Sequence, residues 1–272
     1  MTELGFLLAV VVGLTLGLIG GGGSILTVPI LVYVVGVAPL SATAYSLFIV
    51  GIAAVVGAAA YVRRREVRGD IALGFGLPSI LAVYATRRFL VPALPSLLFY
   101  AGGVPVTRDL AIMVLFAVLM VVASLSMIRG RRELRTGHTV PAGATTARAA
   151  FVATVVAEGA VVGTLTGLVG AGGGFLIVPA LVVLTGLPMK TAVGTSLVII
   201  AGKSLIGFAG DLGAARAVDW HFLLLFAAFT VLGILAGTAV SRKIPAERLK
   251  PAFGWFVLFA GGAIFAREIF SL

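Results

Sequence analysis

Two glycine clusters in this apolar chain have the chemistry of an anion site. Gly20 to Gly23, followed by Ser24, and Gly170 to Gly174, interrupted by Ala171, each follow a long apolar stretch and precede a short one. A helix interior loses about 1 kcal/mol per glycine relative to alanine, so such a run stops the helix. A helix that restarts there presents about four unpaired backbone N–H groups and roughly half a positive charge. Bare amides also admit an oxyanion closely, because no side chain stands in the way. Gly21, Gly22, Gly23 and Ser24, with Ala171, Gly172, Gly173 and Gly174, are therefore candidate substrate-binding residues. The same glycines fit a second reading, in which they only permit close helix packing or a sharp surface turn.

Four further side chains could serve such a site. Lys203 stands inside the apolar stretch Val193 to Gly210, seven residues after Ser196 and four before Gly207, so the three share one helix face. A charge at this depth costs roughly 3 kcal/mol on insertion scales and needs an interior cavity or a partner. Lys203 could hold an anion, snorkel outward, or pair with Asp211 or Glu158. Ser46 and Ser196 could line the site or bond back to their own helices. Glu158, within Phe151 to Val169, is a tentative proton-coupling group, because burial can raise a carboxylate's affinity for a proton. It could equally be the fixed partner of Lys203 or Arg148. His138 and His221 read as surface residues, and Arg148, Asp219 and Trp220 as interfacial anchors.

Composition excludes most alternatives. The 272 residues are 60% hydrophobic and 11% charged, with mean hydropathy +1.18, whereas soluble domains are about 45–50% apolar and about 25% charged. A water-soluble globule is ruled out. The net charge of +10 would suggest nucleic acid in a soluble protein. Here the basic residues sit in short runs between apolar stretches, so they read as topology signals and no nucleic-acid partner is expected. With no cysteine there is no disulfide or thiolate chemistry, and neither a metal set nor a cofactor motif is legible. HExxH, G-x-S-x-G and Walker patterns are absent, and GGGGSI lacks the Lys-Ser/Thr pair of a phosphate loop, so neither an enzyme nor ATP-driven transport is expected. The start, MTELGFLLAVVVG, carries Glu3 and no Lys or Arg, unlike a cleaved signal peptide.

Five stretches have the length of about 20 residues that a membrane helix needs: Ser41 to Val62, Ile71 to Leu90, Leu110 to Ile128, Val193 to Gly210 and Phe222 to Val240. Phe253 to Phe270 is a sixth. Leu4 to Ile19 and Phe151 to Val169 instead run into the glycine clusters. The short arms beyond them, starting near Ser24 and Gly174, are predicted helices with kinks at Pro29 and Pro179. Broken backbone survives in hydrocarbon only where protein or water satisfies it, so each cluster is predicted to tip a re-entrant hairpin.

The chain repeats itself. The segment from Gly13 to Gly57 lies without a gap on Gly163 to Gly207, with 17 of 45 positions identical, among them Gly17, Gly20, Gly22, Gly23, Val28, Pro29, Gly36, Ser46 and Leu47. Each copy is one hairpin plus three spans, so the second enters the membrane inverted. The fold expected is an all-α polytopic membrane protein: residues 1–128 a first repeat, 129–147 a basic cytoplasmic linker, 148–272 a second, inverted repeat. Basic runs at Arg63 to Arg68, Arg129 to Arg135 and Arg242 to Lys250 then all fall inside, with both termini outside. Arg87, Arg88, Arg108, Arg216 and Arg267 fall on the outer side. Inverted repeats with broken helices are the architecture of secondary carriers, whose sites lie at midplane between the repeats.

The segments GLIGGGGSILTVP and GLVGAGGGFLIVP, with the Ala42 to Leu47 and Ala192 to Leu197 stretches that follow them, resemble the TauE/SafE family of sulfite and organosulfonate exporters. The resemblance continues through SLIGFAGDLGAARAVDW in the second half. It implies a carrier in a bacterial cytoplasmic membrane that moves sulfite, sulfoacetate or a related sulfur anion outward. The first half departs from the pattern: Val67, Arg68 and Gly69 stand against Val218, Asp219 and Trp220, and VPALPSLLFYAGGVPVTRD reads as an insertion. The expected partners are the small anion, the lipid bilayer, and protons or sodium as a coupling ion. An anion channel lined by the same helix starts is the alternative.

Overall fold

The computed structural model describes residues 2–101, 104–129, 145–212, 218–241 and 246–270. It is mostly helical. Along the chain run α1 (Thr2–Ile19), α2 (Gly21–Val35), α3 (Pro39–Arg63), α4 (Gly69–Ala93), the strands β1 (Leu97–Ala101) and β2 (Val104–Thr107), and α5 (Arg108–Arg129). After the linker come α6 (Thr145–Val169), α7 (Gly174–Thr185), α8 (Met189–Asp211), α9 (Trp220–Val240) and α10 (Ala246–Phe270). Among the described residues five helices are long and apolar enough to cross a membrane: α3, α4, α5, α8 and α9. They coincide with the five stretches read from the sequence, and the sixth stretch falls in α10. Most of the expected linker, 130–144, lies outside the described residues, as do His138, Arg216, Arg242 and Lys243.

The outer helices turn an apolar face outward, whereas α8 is largely buried. Leu73, Leu77 and Leu81, spaced four apart on α4, are 61%, 55% and 69% exposed. In water such a row would be costly; in lipid it is the expected outer surface. The inner faces merge into one core through residues such as Leu16, Leu31, Val50, Phe75, Leu197 and Phe226.

Helices approach one another along glycine seams. A methyl group at Gly13 or Gly17 of α1 would collide with backbone of α9 at Thr230 and Gly237, and one at Gly233 or Gly237 would meet Val10 and Leu14. On the other side, Gly159, Gly163 and Gly167 of α6 press on Phe75, Ser79 and Val83 of α4. Lipid is as apolar as leucine, so it is close backbone packing rather than hydrophobic exclusion that holds such helices together. The two seams are counterparts. Gly13 touches Thr230 and Gly163 touches Ser79; Gly57 touches Ile234 and Gly207 touches Val83. With Gly13 matched to Gly163 and Gly57 to Gly207 by the sequence repeat, these contacts pair Thr230 with Ser79 and Ile234 with Val83.

The expected helical class stands, with one local addition and two corrections. Part of the insertion-like stretch forms an antiparallel hairpin, with Leu97 opposite Thr107 and Ala101 opposite Val104. Pro95 and Pro105 deny a helix its N–H groups there, while Phe99, Tyr100 and Val106 suit a strand. The arm after Gly20 is not a helix starting near Ser24. It opens as a 3₁₀ turn over Gly21–Leu26, makes one α turn at Thr27–Pro29 and widens to π over Ile30–Val35. Pro29 has no N–H to give and its ring crowds the carbonyl four residues back, so the ladder shifts register after it. In contrast α7 is regular and runs on past Pro179. Arg87, counted among the outer-side arginines, is wholly buried within α4, as shown below.

The connection from α3 to α4 is tied to the second half. The backbone N–H of Arg68 donates to Thr195 Oγ1 at 3.0 Å. The Arg68 guanidinium forks onto Asp70, at 3.0 and 2.6 Å, and this hydrogen-bonded carboxylate makes Arg68 hold its proton more firmly than usual.

Candidate functional site

The two glycine tips meet. Gly20 takes φ +75°, and at the second tip Gly170, Gly172 and Gly173 take +73°, +63° and +67°, conformations open to glycine but strained for other residues. A Cβ on Gly21 would collide with the Cα of Gly174, and one on Gly174 with the Cα of Gly21. The starts of α2 and α7 are thus in van der Waals contact, and no anion fits between them in this conformation. Gly20 packs on Val193, while its counterpart Gly170 packs on Thr43. Gly21, Gly22, Gly23, Ser24, Ala171, Gly172, Gly173 and Gly174 are all buried.

The surroundings of the two tips differ. Around the first stand Val193, Ile200, Leu16 and Thr15, and the Ser24 hydroxyl is occupied by the Gly21 carbonyl of its own turn, at 2.7 Å. The second tip is polar. Lys203 reaches across from α8 and places Nζ directly against Gly173, where a Cβ would come within 2.5 Å of it. Ser204 presents its hydroxyl beside Gly172, fully buried and without a hydrogen-bond partner among the described residues.

Lys203 is completely buried. Its Nζ donates to Thr166 Oγ1 at 3.0 Å, and Thr166 in turn donates to the Gly163 carbonyl. An ammonium carries three donors, and among the described residues Thr166 is the single partner, with no carboxylate within ion-pair distance. Neither carboxylate considered from the sequence reaches it. Asp211 is engaged by Arg87. Glu158 is half-buried on α6, eight residues before Thr166 and so about 12 Å away along the helix.

The serines divide. Ser196 Oγ donates to the Val193 carbonyl of its own helix at 2.8 Å, whereas Ser46, equally buried, has no hydrogen-bond partner among the described residues. Asp219 caps α9 by accepting from Phe222 N at 3.0 Å, and Trp220 sits half exposed, edge-on to Phe48 and Phe208.

Sequence reasoning missed Arg87. It is wholly buried, in the π segment Thr86–Leu90 of α4. Its NH1 lies 3.3 Å from Asp211 Oδ2 and donates to Thr43 Oγ1 at 3.0 Å, while NH2 sits against Gly170. A signal existed, since Arg87 falls inside the stretch Ile71 to Leu90 already read as a span, where an arginine requires a partner. Thr166 carried no comparable signal, because a threonine in an apolar helix is ordinary.

Chemically, the second tip gathers a buried ammonium, a hydroxyl and the positive start of a 12-residue helix, and among the described residues the hydroxyl has no hydrogen-bond partner and the ammonium no acidic one. Negative charge is what this cluster lacks. Comparison with known proteins identifies the family. The family model described as sulfite exporter TauE/SafE matches residues 5–264, spanning both tips, Arg87 and Lys203. A probable membrane transporter protein of Xylella fastidiosa (strain Temecula1) is 32% identical over 254 residues, covering 91% of this chain and 88% of that one. The probable membrane transporter protein YunE of Bacillus subtilis (strain 168) is 27% identical over 290 residues, covering 98% and 99%. No solved structure matches. On these grounds the chain belongs to the sulfite exporter TauE/SafE family and is a multi-pass membrane transporter of that type.

Proposed function

We propose that this protein exports a small sulfur-containing anion, such as sulfite or sulfoacetate, across a bacterial cytoplasmic membrane by alternating access. One observation carries the reading. Lys203 is completely buried beside the start of α7 with a neutral hydroxyl as its partner. Two like-signed fields in a low-dielectric interior repel each other, and an anion resting on both relieves the repulsion. The anion contacts Lys203, the amides of Gly172 to Gly174 and Ser204, beside the second tip rather than between the tips. Ala171, Ser46 and the first-tip residues Gly21 to Ser24 border the path.

The reciprocal contacts of the two halves support a pair of inverted repeats, 1–128 and 148–272, joined by 129–147, that rock against each other. The contact of Gly21 with Gly174 favours a carrier over an anion channel, since a standing pore through the tips needs space that those backbones fill. Glu158 is the candidate proton-coupling group, as a lone carboxylate on the arm that bears Thr166. Both termini lie outside in this reading.

The test is binding to purified protein of sulfite, sulfate, thiosulfate, sulfoacetate and taurine, followed by transport in proteoliposomes. Lys203→Met keeps the bulk and removes the charge; anion affinity should fall at least tenfold, about 1.4 kcal/mol. Unchanged affinity would sink the reading. Glu158→Gln should abolish acceleration by a proton gradient while leaving binding intact, and a gradient response that survives removes Glu158 from the coupling.

A further inference from the structure

We propose that Arg87 and Asp211 form a gate on the outer side of the transport path, closing it between the second glycine tip and the outer surface. The proposal rests on the carrier reading above and adds to it the element that shuts one end.

Arg87 is wholly buried where α3, α4 and α8 converge, held by Asp211 of α8 and Thr43 of α3. Behind it lies Gly170, the first residue of the tip on which Lys203 rests. In front, Asp211 borders a pocket lined also by Ser41, Ala44, Tyr45, Leu212 and Val218. The pair therefore stands between a pocket and the candidate anion site. It lies at the end of α8 opposite the basic Arg63 to Arg68 loop, which Arg68 ties to Thr195 near the start of α8.

The pair is also asymmetric between the two halves. Under the correspondence that maps Gly13–Thr230 onto Gly163–Ser79, Arg87, Asp211 and Thr43 answer to Thr238, Tyr61 and Val193. The same helix packing is thus made in the other half without charge. A buried ion pair is no better for stability than an apolar contact of equal size, so packing of α4 on α8 does not account for it. A lock on one side of the membrane does.

The chemistry suits a gate for anions. Separating the pair without a substitute would strand a buried charge, a strongly unfavourable step, so the path stays shut when nothing passes. The guanidinium fork that grips a carboxylate grips a sulfur oxyanion in the same geometry. An anion leaving Lys203 meets on Arg87 a donor set that can take it as Asp211 swings away. Arg87 also sits in a π segment, a helix form common where side chains must be re-aimed.

The chain has no cysteine, so one reporter thiol reads the gate cleanly. Val50→Cys places it on a fully buried residue beside Gly172, beneath the pair. With Arg87 and Asp211 intact, a membrane-impermeant maleimide added outside should label it slowly. Adding Asp211→Asn should raise outer labelling at least tenfold and leave labelling from the cytoplasmic side unchanged. Should Asp211→Asn fail to fold, the neutral double variant Arg87→Gln with Asp211→Asn, which strands no charge, should show the same rise. Labelling no faster than in Val50→Cys alone, or equally faster from both sides, overturns the proposal. Lys203-dependent anion binding is measured on the same protein. It persists if only the gate is wrong, so the two failures are told apart.

Discussion

Lys203 and Arg87 are both buried cations next to the second tip, yet their partners differ, and with them their roles. Arg87 has a carboxylate and is electrostatically complete; Lys203 has a threonine and is not. That difference yields a residue-scale prediction. Thr166→Val removes the hydroxyl that accepts from Lys203 and leaves a buried donor unmet, a loss of about 1–3 kcal/mol. Thermal melting of the anion-free protein should show it, and Ser196→Ala, whose hydroxyl only bonds back to its own helix, should be nearly neutral. A Thr166→Val protein as stable as the parent would mean that Lys203 does not depend on this contact. At this scale the sequence was informative about charge and silent about partners. Lys203 was legible as an intramembrane cation, but Asp211 and Glu158 were equal candidates for it until the helices were placed.

At the scale of elements, glycine has two uses here that a sequence does not separate. Gly13 and Gly163 let helices cross, whereas Gly20, Gly170, Gly172 and Gly173 turn the chain. Gly13→Ala and Gly163→Ala drive a methyl group into the Thr230 and Ser79 carbonyls, and each should cost about 1–3 kcal/mol, the usual range of overpacking. Gly262, in α10 with open space around it, is the control: Gly262→Ala should be neutral or slightly stabilising through helix propensity. Melting temperatures in detergent decide, and equal effects at Gly163 and Gly262 would refute the seam. Both clusters were legible as helix breaks because four glycines stop any helix. That one arm is 3₁₀ and π while the other is regular α was not legible, since both carry proline at the same place. Neither was the β hairpin, whose strands lie within a stretch notable in the sequence chiefly for its prolines.

At the scale of the whole molecule the prediction concerns sidedness, which a single-cysteine scan reads. Arg63→Cys should be labelled only from the cytoplasm and Ser96→Cys only from outside, both positions being exposed. Labelling of the two from the same side would break the inverted arrangement, because α4 joins them across the membrane.

Hydropathy, repeat and charge pattern together determined a helical membrane protein with two glycine-broken arms, because lipid forces every backbone group to be satisfied within its own segment and so makes spans readable one at a time. What only the tertiary structure decided is which side chains meet. The tips touch, Lys203 faces Thr166, and Arg87 faces Asp211, all through contacts between segments separated by up to 153 residues, such as Gly21 and Gly174. Contacts of that range depend on how far two helices slide and rotate on each other. Small residues permit many such settings, and it takes the packed molecule to select one.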